Sequence, residues 1–253
     1  MNKTIILHHL LDMNDLPAAE RWFYRYHIPE VLRNYPLMTR YVSYRAVPPP
    51  PGAEKFGYYN YKVHENINSS DEYGQIGLVG PTAEVVPLKV IMVNVPVTPT
   101  EDFMGRGVSL DKKTILRWVI AFRYPEGISQ EEGDKWYLNV HAKEVMQQPG
   151  LTRFFSYRII PSKAAPSTPG GMGAFLHPRS SCTANWHRIS EQWYENSNGW
   201  VDSIIKSPPK YTRPAWAKYD KYPFFEPDVD FGSTFILERP TDDWLRNVPP
   251  FHI

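Results

Sequence analysis

The chain carries one segment twice. Residues 22–48 read WFYRYHIPEVLRNYPLMTRYVSYRAVP and residues 136–161 read WYLNVHAKEVMQQPGLTRFFSYRIIP. His27 aligns with His141 at an offset of 114 (141 − 27), and Ser43-Tyr44-Arg45 with Ser156-Tyr157-Arg158 at 113 (156 − 43), so one residue is missing before Pro149. An internal repeat has to be recognised before any fold is assigned. The copies share a histidine, a glutamate three residues later, a proline, Thr-Arg and Ser-Tyr-Arg. Packing alone does not require these polar identities, so they direct the search for function.

The 253 residues suit two fused half-domains, 1–110 and 111–253, packed as one barrel. The net charge of +1 is spread without blocks of like sign, which speaks against nucleic acid and anionic membranes as partners. Cys182 is the single cysteine, so no intramolecular disulfide can form. The short apolar run Ile5–Leu7 is too brief for a leader or a membrane span, which makes a cytoplasmic location the expectation. Proline clusters at 48–51, 161–169, 208–214 and 249–250 read as stiff surface connections.

Along the chain, strands are expected at Thr4–Leu10, Thr39–Val47, Tyr58–His64 and Leu88–Val97. The second series is Thr114–Tyr124, Thr152–Ile160, Trp186–Tyr194 and Ser233–Leu237. Asn14 or Asp15 can cap a first helix that opens at Pro17 and is distorted by Pro29. Ser129 and Glu132 form a capping box for its counterpart, and a short helix is expected over Trp200–Lys206. Residues 66–87 read mostly as loop. The fold class is therefore α+β: two fused ferredoxin-like β-α-β-β-α-β repeats, stacked sheet to sheet about a pseudo-two-fold axis.

Trp22, Phe23 and His27, like Trp136, Tyr137 and His141, recur at helical spacing, so each imidazole lies on an aromatic stripe. Glu30 and Glu144 follow at i+3, where a carboxylate could orient the ring and favour its charged form. Strand alternation puts Val42, Tyr44 and Ala46 on one face, as it does Phe155, Tyr157 and Ile159. That apolar face is expected under the helices, with Ser43, Arg45, Ser156 and Arg158 facing away. His8 and His9 point to opposite faces of the first strand. His177, Cys182 and His187 lack ligand spacing, and His27/Glu30 and His141/Glu144 would sit on opposite outer faces, so no metal site is expected. No Gly-rich phosphate loop and no nucleophile motif is present.

The run Trp136-Tyr137, His141, Pro149-Gly150-Leu151 and the following strand resembles the EthD-like branch of the dimeric α+β barrel superfamily. The first copy matches through Phe23-Tyr24, His27, Pro29 and Pro36-Leu37. The resemblance implies a dimeric α+β barrel made within one chain, with a pocket between helix and sheet and a first-helix histidine that moves protons. Those roles fall on His27 and His141, with Tyr44 or Tyr157 steadying an enolate. Glu30 and Glu144 would tune the rings, and Trp22, Phe23, Trp136, Tyr137 and Phe155 would line the pockets. The second half, with Gly150 and its own second helix, is the one expected to build a complete pocket. The implied activity is that of a cofactor-independent lyase, dehydratase, decarboxylase or isomerase. Its substrate would be a small, largely apolar aromatic or cyclic carbonyl compound. The alternatives are a haem enzyme with a helix histidine as axial ligand, and a non-catalytic binder of a hydrophobic metabolite. A homodimer is compatible with either.

Overall fold

The computed structural model describes residues 1–69, 88–105, 115–161 and 186–246. Ten strands carry the architecture: β1 (Asn2–Leu10), β2 (Met38–Arg45), β3 (Lys62–Asn68), β4 (Leu88–Pro96), β5 (Glu101–Asp102), β6 (Leu116–Phe122), β7 (Leu151–Arg158), β8 (Arg188–Tyr194), β9 (Phe231–Leu237) and β10 (Asp242–Asp243). They form two antiparallel sheets, ordered β10-β2-β3-β1-β4 and β5-β7-β8-β6-β9. The registers correspond: Ile5 faces Glu65 as Val119 faces Glu191, and each second strand is bulged, between Met38 and Arg40 and between Leu151 and Arg153. Lys3 is thus the counterpart of Arg117, His8 of Phe122 and His64 of Ser190.

Every residue of β6 and β8 is buried. An antiparallel sheet with one wet face would alternate instead. Both faces are covered here. Outside the first sheet, Trp22, Phe23 and Val31 pack on Tyr41, Tyr61 and Val90. Outside the second, Trp136, Tyr137 and Val145 pack on Phe122, Phe154 and Tyr194. Between the sheets, Ile5, Val42 and Val93 meet Val119, Phe155 and Ile189. Single bridges from Asn94 to Ile160 and from Ala46 to Ile236 join the sheets at two corners.

The halves also exchange edges. After β4 the chain crosses to the second sheet, where Glu101 and Asp102 pair with Ser156 and Phe155. After β9 it crosses back, and Asp242 and Asp243 pair with Ser43 and Val42. Residues 48–59 reach over as well: Phe56 packs on Trp118 and Trp200, and the Tyr59 amide donates to Ser233 O at 2.7 Å. That excursion is why the third strand begins at Lys62 and not at Tyr58. The Tyr58-Tyr59 pair is apolar because it packs across the halves, not because it lies in the ladder.

The first helix runs over 16–34 and its counterpart over 130–145. Each contains a π turn, Phe23–His27 and Tyr137–His141, closed by i→i+5 bonds from Ile28 N to Phe23 O and from Ala142 N to Tyr137 O. Both repeat histidines sit at the last position of that turn. Pro29 lies two residues past the end of the first π turn, yet the helix continues to Asn34. Lys143 stands at the corresponding place in the second helix, so proline is not what widens the turn. The expected cap at Ser129 forms, its hydroxyl accepting from Glu132 N at 3.2 Å. At the first helix Asp15 stands at the N-cap without a side-chain bond, while Asp12 caps the 3-10 turn ahead of it by accepting from Asn14 N. A third helix spans 197–206.

Gly133 lets the second helix lie against the Tyr124 ring; a Cβ there would sit 2.3 Å from ring carbons. Tyr124 cannot yield freely, because its hydroxyl donates to Asp134 at 2.6 Å. Gly133→Ala should therefore destabilise by about 1–3 kcal/mol despite the better helix propensity of alanine. A urea unfolding midpoint at or above that of the parent would contradict this packing.

Candidate functional site

The His141 side chain faces a small enclosed cavity of about 10 Å³, room for about one water. Trp118, Phe122, Tyr137, Gln192, Tyr222 and Phe225 are among the residues that line it. The imidazole is 6 % exposed and stacks on Trp136 at 4.8 Å, and its Nδ1 has no hydrogen-bond partner among the described residues. Beside it, Gln148 donates to the Tyr211 hydroxyl at 2.9 Å and accepts from Tyr194 at 2.7 Å. The Tyr211 and Tyr222 rings stack at 3.9 Å, each about 6 Å from His141 (6.0 and 6.1 Å between centroids).

Tyr211 and Tyr222 belong to a strap, residues 207–230, that covers the cavity. The proline cluster at 208–214 is therefore part of a roof, not merely a surface connection. Glu144 fastens it: both carboxylate oxygens accept from Thr212 N, at 3.0 and 3.1 Å, while Trp136 Nε1 donates to Thr212 O at 3.0 Å. Glu144 thus holds the strap and does not orient His141. Sequence reasoning missed Tyr211, Tyr222, Gln148 and Gln192. The available signal was six aromatics from Tyr211 to Phe225 in a stretch too proline-rich for strand or helix.

In the first half, His27 stacks on Trp22 at 4.7 Å and meets Phe23 edge-on at 5.2 Å. Two further imidazoles lie under the same Phe23 ring: His8 at 5.3 Å and His64 at 5.0 Å, 4.7 Å from each other. The Tyr41 hydroxyl lies 3.3 Å from His64 Nδ1, and His8 Nδ1 lies 3.3 Å from Lys62 O. Where the second half has Phe122 and Ser190, the first has His8 and His64. Of the two strand-one histidines it is His8 that faces the helix. Glu30 follows His27 in the helix, but burial and the Lys62 charge set the state of that ring.

Tyr44, Tyr157 and Phe155 are not beside the histidines. They lie between the sheets, and the residues expected there face the helices: Ser43 accepts from Trp244 Nε1, Arg45 reaches Glu20, and Arg158 lies 3.9 Å from Asp134. Both faces of each sheet are covered, so apolarity does not tell the helix face from the inter-sheet face. On the helix side Arg188, 1 % exposed, donates at 2.6 Å to both Asp134 and Glu101 and at 2.9 Å to Ser156. Lys62 repeats the theme, 2.9 Å from Glu20.

Glu30 and Glu144 were expected to raise the histidine pKa values. The shift runs the other way. Burial lowers His141 to about 3; burial, then the Lys62 charge, lowers His27 to about 4; burial, then His27, lowers His8 to about 3. His64 is also held well below its usual value, first by burial. These rings are neutral across the ordinary pH range. Burial also raises the Tyr137 and Tyr211 phenols, each to about 12, so both stay protonated.

For histidines with folded values below the usual 6.5, the unfolded chain binds protons that the folded chain refuses. Stability is therefore full above 6.5 and falls as pH drops toward 3–4, by up to about 1.4 kcal/mol per pH unit for each site. Between pH 6.5 and 5, above the range of most carboxylates, histidines dominate this slope. The urea midpoint should fall measurably over that window; an unchanged midpoint would mean that the rings are not buried and neutral.

Residues 1–94 match the family profile described as the chalcone isomerase N-terminal domain. No curated protein matches the chain. Among solved structures, an anthrone oxidase-like protein aligns with a TM-score of 0.50 and 8 % identity, covering 96 % of this chain and 92 % of the other. A monooxygenase-like protein from Lactobacillus acidophilus NCFM aligns at 0.35 and 9 %, covering 93 % of each chain. Another from Fusobacterium nucleatum subsp. nucleatum ATCC 25586 aligns at 0.34 and 6 %, covering 79 % of each. No helix among the described residues is long and apolar enough to cross a membrane. With two antiparallel sheets and few helices, the chain has a mixed α+β fold, shared with the anthrone oxidase-like protein.

Proposed function

We propose that the protein is a cofactor-independent enzyme in which His141 moves a proton on a small, largely apolar aromatic or cyclic carbonyl compound, as an isomerase or lyase. In this reading the chain is a tandem pair of ferredoxin-like, EthD-like units. One observation carries it: a neutral imidazole with an unpartnered Nδ1 faces an enclosed cavity walled by aromatic rings. The match of residues 1–94 to the chalcone isomerase N-terminal domain is consistent with isomerase-type chemistry.

His141 takes a proton from carbon next to the carbonyl, and the pair of electrons moves onto the carbonyl oxygen as an enolate. Tyr137 and Tyr222, which line the cavity, are placed to donate to that oxygen, the role first assigned to Tyr157. The imidazolium is steadied by the Trp136 face beneath it and by the enolate charge beside it. It then returns the proton to another carbon (isomerase) or to a leaving group (lyase). The burial that depresses the resting pKa keeps the ring ready to accept; proton affinity returns as negative charge develops on the substrate. Admission of a substrate requires the strap over residues 207–230 to shift, since the closed cavity holds about one water.

The test is deuterium exchange at the α-carbon across a panel of aryl and cyclic ketones, followed by NMR. His141→Ala should lose about 100- to 10,000-fold in rate, with ligand affinity largely kept; His27→Ala should lose far less. Tight binding by the parent protein without exchange would favour the non-catalytic binder. Full activity in folded His141→Ala would remove the assignment.

The pH dependence follows from the same groups. With His141 titrating near 3 and Tyr137 near 12, kcat/KM should be flat between about pH 5 and 9. A sigmoidal rise centred near 6.5 would place the essential base elsewhere, on a more exposed histidine.

A further inference from the structure

Between the sheets, where β1 and β6 begin, charge is enclosed without balance. Arg117 donates to both oxygens of Glu191, at 2.9 and 3.0 Å, and to Glu65 at 2.8 Å, so one guanidinium engages both carboxylates. Its counterpart Lys3 is 7 % exposed, and its ammonium donates to the Tyr157 hydroxyl at 2.7 Å. Among the described residues no carboxylate lies within ion-pair distance of Lys3 or Arg153. Arg153 lies over the rings of Phe155 and Trp193, at 4.7 and 4.8 Å, with its buried Nε unpartnered. Arg40 donates to the Tyr44 hydroxyl at 3.3 Å and stands 3.8 Å from Glu65, its side chain 42 % exposed, so this region reaches solvent.

Four cations (Lys3, Arg40, Arg117, Arg153) share two carboxylates (Glu65, Glu191), an excess of two positive charges (4 − 2). A buried ammonium without a counter-ion costs several kcal/mol. The phenols add a direction. Tyr44 and Tyr157 each accept from a cation, so each hydroxyl proton is left for an acceptor not supplied by the described residues. Two phenol donors, a buried ammonium and a guanidinium with a spare Nε together match an oxyanion. Burial lowers the Lys3 pKa, and Glu65 and Glu191 only partly offset it; a bound anion would raise it again.

We propose that this end of the inter-sheet space is an anion site, separate from the His141 cavity, that takes a small carboxylate or phosphate on Lys3, Arg153, Tyr44 and Tyr157. The two sources are told apart by calorimetric titration of the full chain in low-salt buffer with sodium benzoate and with inorganic phosphate, each against sodium chloride at equal ionic strength. Saturable binding of one anion per chain is expected for at least one of them, and the tighter of the two names the class. Arg153→Gln should weaken it at least about tenfold, the loss of one charge-assisted bond, while His141→Ala should leave it within about twofold. In anion-free buffer Lys3→Met should match or exceed the parent in thermal midpoint, and its midpoint should no longer rise on adding the anion. Three results would each overturn the proposal: no saturable binding of either anion, binding unchanged by Arg153→Gln, or a Lys3→Met protein that is less stable than the parent without anion.

Discussion

Neither sheet can hide both of its faces with its own half of the chain. Each half supplies one long helix, and that helix covers one face. The other face is as apolar, with Ile5, Val42 and Val93 on one side and Val119, Phe155 and Ile189 on the other. Only the second half can cover it. This makes the halves mutually dependent, and the chain goes further by trading edges, so that Glu101 completes one sheet and Asp242 the other. The buried cation on each third strand then ties helix to sheet: Arg188 holds Asp134 and the exchanged Glu101, and Lys62 holds Glu20. Pairs of this kind contribute little net stability against apolar replacements, but breaking one strands a charge, which enforces a single register.

On this symmetric frame the two helix-facing regions have different chemistry. The second presents one histidine to a cavity of aromatic rings, with amides and phenols at its side. The first gathers three imidazoles under Phe23. The π turn is common to both and places His27 and His141 at the same point over the sheet. Such turns recur at functional positions because the extra residue redirects side chains that an α-helix would carry past the site. The difference between the halves therefore lies in the strands, at His8 against Phe122 and His64 against Ser190; over the second histidine lies the strap of residues 207–230.

Much of the framework was legible in the sequence. The repeated segment pointed to strands of matching register in the two sheets, and β-branched runs located most strands to within a few residues. Two features were not. Alternation gives relative faces within a strand, but an outside face is identified by polarity, and here no face is polar. Tyr44 and Tyr157 were therefore assigned to the wrong side, and with them an enolate-binding role. The histidine environment was opaque for a related reason. The i+3 spacing brings Glu144 within reach of His141, yet the carboxylate finds a backbone amide of the strap, a partner 68 residues away that no local pattern announces. His177 and Cys182 lie outside the described residues.

The traded strands have a bearing on how the molecule behaves in a crowded solution. A sheet edge is a row of unpaired amides and carbonyls that can recruit another chain and seed aggregation. Here β4 and β9 are bridged to the opposite sheet, through Asn94 and Ile236. The remaining borders are β5 and β10, each two residues long and wholly acidic: Glu101 and Asp102 on one sheet, Asp242 and Asp243 on the other. An incoming strand would meet a short template and two negative charges. The crossing that locks the halves together thus also puts a short acidic strand, not a long apolar one, on one border of each sheet.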